Sequence, residues 1–287
     1  DIPYSVSGNN LTLSSGFNLA MNAGGDMTLN GLINAGTGNV ALKSGGAIIN
    51  GMGSARSINA GSLVAEAVNG IGSGDPLMTG VNKLAALNTA TNNIQIDNTG
   101  VLTVSDLRNL GTGNVILQNI GAITTDTSTV TSTGGNVSIT AHSPLTIGSG
   151  GVSAAGSITL AASPSGGSDN LTINGKIASS GGSIVLKAGT SVVLGPESGL
   201  SAPKGTVTLT DKMNTPGSDT GAATGNTDAA NNTIVALKTT EGTTIASVET
   251  GSDSDKKEDE ERKKKKEGEK KATDDKKTDD STKNYCN

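Results

Sequence analysis

The side chains that could do chemistry in this chain are few and widely spaced. There is one histidine, His142, in the corner-like stretch Ala141-His-Ser-Pro144. With no second histidine or thiol nearby, neither a zinc site nor a Cys–His pair assembles around it, and it reads as a turn residue. Beyond Asp1, the acids of the first two hundred residues are scattered: Asp26, Glu66, Asp75, Asp97, Asp106, Asp126, Asp169 and Glu197. Only Asp97 and Asp106 lie within ten residues of each other in a regular part of the sequence. Glycoside cleavage needs two carboxylates facing one another across the sugar, so this pair carries the catalytic alternative. Gly24-Gly-Asp26 and Gly166-Gly-Ser-Asp169 each match a fragment of a calcium-binding glycine–aspartate repeat, but nothing recurs every nine residues, so both read as turns. Regular Thr-x-Thr is missing from most repeats, and the densest threonine run, Thr127 to Thr133, falls in a loop-like stretch. No catalytic, cofactor-binding or metal-binding residue is assigned.

The single cysteine, Cys286, sits next to last in the chain. Two readings stand side by side: an incidental terminal thiol, or a covalent or disulfide attachment point carried on a charged spacer. No apolar run of 18 residues exists, so no transmembrane helix is expected. The start at Asp1 reads as a mature product or a fragment of something longer.

Composition limits what could hold such residues in place. The chain has 287 residues, of which 1% are aromatic, and it contains no Trp. Ordinary cores of this size bury several large rings, whereas the apolar residues here are Val, Ile, Leu and Ala, which stack on themselves in narrow layers. Residues 253–287 contain 12 basic and 12 acidic side chains, out of totals of 21 and 26, leaving a nearly uncharged, mildly acidic body. Such a body argues against a phosphate-binding surface, and no nucleic acid partner is expected.

The elements come from a repeated phrase. Gly113-Asn-Val-Ile-Leu117 recurs as Gly135-Asn-Val-Ser-Ile139, Gly156-Ser-Ile-Thr-Leu160, Gly182-Ser-Ile-Val-Leu186 and Gly205-Thr-Val-Thr-Leu209, with steps of 22, 21, 26 and 23 residues. A similar phrase stands earlier, at Gly38-Asn-Val-Ala-Leu42. Short apolar–polar–apolar alternation between turn formers signals strands. A fixed period near 22 residues predicts an all-β parallel β-helix in which each rung returns to the same corner one strand spacing further on. Val115, Val137, Ile158, Ile184 and Val207 then form one inward column, and Leu117, Ile139, Leu160, Leu186 and Leu209 a second. Further short strands, such as Leu145-Thr-Ile147 and Val192-Val-Leu194, imply three sides per turn, with Gly at corners that need positive φ or tight bends. The 26-residue step places its extra length in the polar insert 162–170.

The repeat region is expected to span residues 1–210, interrupted at 67–93 by an irregular excursion in which Met78 to Thr91 holds a short helical turn. Residues 211–252 read as a polar linker with a capping hairpin at 233–237 and 243–248. Residues 253–287 form a mixed-charge tail, partly helical where Glu258-Asp-Glu-Glu261 faces Arg262-Lys-Lys-Lys265 at i+4, and otherwise disordered.

The Gly-Asn-Val-x-Leu and Gly-Ser-Ile-x-Leu rungs resemble those of filamentous-haemagglutinin-type exoproteins of Gram-negative bacteria. So does the interruption Gly70-Ile-Gly-Ser-Gly-Asp-Pro-Leu77, Thr79-Gly-Val81 and Leu84-Ala-Ala-Leu87. The resemblance covers residues 5–210. It implies a long right-handed parallel β-helix, two-partner secretion through an outer-membrane partner, and adhesion to host cells, other bacteria or matrix through glycans or proteins. The family's N-terminal secretion domain is not found, which suits a C-terminal piece of a longer fibre held at the cell surface. The expected function is a non-catalytic adhesin segment. The alternatives are a carbohydrate-active β-helix enzyme and the stalk of a contact-dependent toxin.

Overall fold

The computed structural model describes residues 4–13, 16–163 and 168–210, together with two short strands beyond them. The chain divides at Val248, and the unit after it, residues 249–287, lies outside the described residues.

The first seven strands are short: β1 (Tyr4–Ser7), β2 (Asn10–Leu13), β3 (Leu19–Ala23), β4 (Met27–Leu29), β5 (Ile33–Asn34), β6 (Asn39–Ser44) and β7 (Ile48–Asn50). Four longer ones follow: β8 (Ile58–Ala67), β9 (Leu77–Asn88), β10 (Ile94–Thr99) and β11 (Leu102–Asn109). From there the rungs become regular triplets. The first is β12 (Val115–Ile120), β13 (Ile123–Thr125) and β14 (Val130–Ser132); the second is β15 (Val137–Ala141), β16 (Leu145–Ile147) and β17 (Val152–Ala154). Next come β18 (Ile158–Ala162), β19 (Leu171–Ile173) and β20 (Lys176–Ser179), then β21 (Ile184–Lys187), β22 (Val192–Leu194) and β23 (Gly199–Ser201), with β24 (Val207–Thr210) opening one more turn.

Pairing makes this a parallel β-solenoid of about nine turns with three faces. The first face is the ladder β10–β12–β15–β18–β21–β24, extended backward through Ile71 to β7 and β4. The second runs β13–β16–β19–β22, and the third β14–β17–β20–β23. In the earlier turns β8, β9 and β11 each serve the second and third faces as one continuous strand. A bulge between Val104 and Asp106 lets β11 make that passage and meet both β13 and β14. At the N-terminal end β1 pairs antiparallel with β2.

The two inward columns form in the expected register. Val115, Val137, Ile158 and Ile184 are fully buried, as are Leu117, Ile139, Leu160 and Leu186, while Val207 on the last described turn is only half-buried. Each such side chain contributes about 1.5–3 kcal/mol of burial. Like stacks on like at one strand spacing, so the core fills without rings; Phe17 is 42% exposed.

Each position of the phrase has a physical reason. Its second residue clamps one turn to the next. The amide of Asn114 donates to Asn93 Oδ1 (2.8 Å), that of Asn136 to Asn114 Oδ1 (2.8 Å), and that of Ser157 to Asn136 Oδ1 (2.7 Å). Ser183 and Thr206 then donate to Ser157 Oγ and Ser183 Oγ at 3.2 and 3.1 Å. The glycine before it is required by close approach. A Cβ on Gly113 would lie 1.8 Å from the Asn92 carbonyl oxygen, and one on Gly205 would lie 2.2 Å from that of Gly182. Neither glycine has positive φ, so the expected conformational reason does not apply at these corners.

One expectation changes, and two features go beyond the sequence reading. Residues 77–88, expected as part of an excursion with a helical turn, form the longest strand of the coil, in register with β8 from Thr79 to Asn88. The alternation Leu77, Thr79, Val81 and then Leu84, Ala86, Asn88 faces inward, and only the connections on either side are irregular. Second, the phrase at Gly38 does not stack on the Gly113 phrase: Asn39 and Val40 lead through β8, β9 and β11 to Thr124 and Thr125 of β13 on the second face, and only the end of β6, at Lys43, leads on to β14. The same clamp nevertheless operates there, Asn39 donating to Asn18 Oδ1 at 2.9 Å. Third, inward positions are not uniformly apolar, because Asn88, Asn98, Asn109 and Asn119 are buried at corners.

Beyond Thr210, β25 (Ala236–Lys238) and β26 (Thr244–Ser247) pair antiparallel, with Leu237 opposite Ala246. The rest of the expected linker, and the whole charged tail, lie outside the described residues.

Candidate functional site

The residues with chemical potential are distributed over the coil by the same registers. Asp97 lies on β10 between buried Ile96 and Asn98, opposite Met78 on one neighbouring strand and Gln118 on the other. Its Oδ1 is enclosed and has no hydrogen-bond partner. Burial therefore pushes the carboxyl above its ordinary value. Asp106 follows the bulge on β11 and grips Arg108 through two bonds, Nε to Oδ1 and Nη2 to Oδ2, each 2.7 Å. That carboxylate holds the Arg108 guanidinium up, by hydrogen bonding first and charge second. The two acids that are close in sequence therefore stand in different ladders, and one is already occupied by an arginine. The structure does not bring them together as a facing pair.

The other acids are dispersed or engaged. Glu66 pairs with Lys43 at 2.9 Å, both well exposed. Asp26 Oδ1 accepts the Ala47 amide at 2.8 Å, so Gly24-Gly-Asp26 is another corner clamp. Asp169 Oδ2 accepts the Ser163 hydroxyl, and Asp126 Oδ1 accepts the Thr127 amide at 2.9 Å. Asp75 and Glu197 are exposed in turns. His142 is exposed in its turn, its amide donating to the Asn119 carbonyl at 3.0 Å. Among the described residues no group of three or more His, Cys, Asp or Glu side chains could hold a metal ion. Cys286 lies outside the described residues, as do residues 164–167 of the polar insert.

Two features escape sequence reasoning. Thr103, Thr124, Thr146 and Thr172 stack as one column on the second face. Each rung offers a single threonine there, so no Thr-x-Thr motif betrays the column, and only the register of the short middle strands does. The second is the set of buried asparagines. Asn109 Oδ1 accepts from Asn88 Nδ2 (3.0 Å) and from the Gly111 amide (3.1 Å), while its Nδ2 donates to the Asn92 and Asn114 carbonyls. Asn98 Nδ2 donates to Asn119 Oδ1 at 2.9 Å and to the Val81 carbonyl. Buried amides of this kind satisfy main-chain groups that cannot pair where the strand turns a corner.

No protein family, curated protein or solved structure matches the chain. Its structure accordingly stands on its own geometry: a coil whose polar groups are spent largely on holding adjacent turns together.

Proposed function

We propose that this chain is a non-catalytic structural and adhesive segment of a secreted or surface-attached bacterial exoprotein, exported with an outer-membrane secretion partner. The observation that carries the reading is the unbroken clamp Asn93–Asn114–Asn136–Ser157–Ser183–Thr206, one bond per turn over five successive steps. Side-chain hydrogen bonding is directed along the axis, which suits a stiff stalk. The outward faces carry small polar and aliphatic side chains in repeated columns, a surface for many weak contacts with host-cell, bacterial or matrix glycans or proteins. Residues 253–287 serve as a charged spacer, with Cys286 as the attachment point.

The intact chain passed over immobilised matrix proteins, cell-surface glycans and whole bacterial cells tests this. Saturable binding to at least one of them is expected. Absence of binding to all of them, or cleavage of a glycan in the panel, overturns it.

A further inference from the structure

No further inference is drawn: the strongest candidate, the shallow groove across the third face lined by Thr131, Ser153, Ala178 and Ser201, is a stripe of small residues whose two buried hydroxyls, Ser132 and Ser179, already bond to backbone carbonyls, and nothing in the structure shows what covers it.

Discussion

The amide of Asn136 donates to Asn114 Oδ1, at 2.8 Å, across one full turn of the coil. In return the Asn136 carbonyl accepts from the amide of Val115, at 2.9 Å, so the two rungs interlock at the corner that opens the first face. Asn114→Ala removes the acceptor and leaves a partly solvated amide, at a cost of about 1 kcal/mol. Asn114→Ser should recover part of that loss, because Ser157 and Ser183 do the same work on later rungs. Urea unfolding of both variants measures the difference as a shift in midpoint. Equal loss in the two would show that the side-chain oxygen is not what matters.

The inward asparagines are a stricter case, because water cannot replace them. Asn109 is fully buried and serves Gly111, Asn92, Asn114 and Asn88 at once. Asn109→Ala leaves several buried groups without partners, and a loss of about 3 kcal/mol is expected. Hydrogen exchange should speed up at Gly111, whose amide loses its acceptor, before it does in the distant turns.

Much of this coil is legible in the sequence, for reasons that particular residues make plain. Val115 to Val207 and Leu117 to Leu209 recur with steps that absorb insertions at corners, so the inward columns can be placed before any coordinates exist. Residues 77–88 are misjudged because Gly80 and the run Leu84-Ala-Ala-Leu87 weaken the period-2 signal. Pairing on both sides, not local propensity, holds that segment extended. The phrase at Gly38 recurs off the first face because Gly-Asn-Val encodes a corner clamp and not an address: it fits whichever corner the chain is turning. Asp97 and Asp106 illustrate the limit for sites, since a bulge at Ser105 and a change of face separate neighbours that a linear reading keeps together.

Asp97 also makes stability depend on pH. Burial raises its folded-state value above the unfolded one, so the native state binds the proton more tightly. The coil is therefore favoured, as far as this group is concerned, below the unfolded value. That advantage is lost as pH rises through the raised folded value. Asp97→Asn should unfold at higher urea than the parent at neutral pH, and the gain should shrink in acid. A variant that is less stable at neutral pH would mean that the carboxylate has a partner in solution. On the non-catalytic reading neither the parent nor this variant should cleave acidic polysaccharides; a cleavage activity in the parent that the substitution abolishes would favour the enzyme reading.

If the tail holds the fibre at the cell surface through its thiol, Cys286→Ser releases the chain into the medium. Fractionating cells and medium reads this directly. Retention equal to that of the parent would remove the thiol from the account and leave the tail only as a spacer.

The most direct measurement of the central claim is attachment of beads coated with the intact chain, at graded density, to host cells, bacterial cells and matrix. A stiff multivalent stalk predicts attachment that rises more than proportionally with coat density and is competed away by soluble chain. Beads that fail to attach to any of these surfaces at the highest density would contradict it.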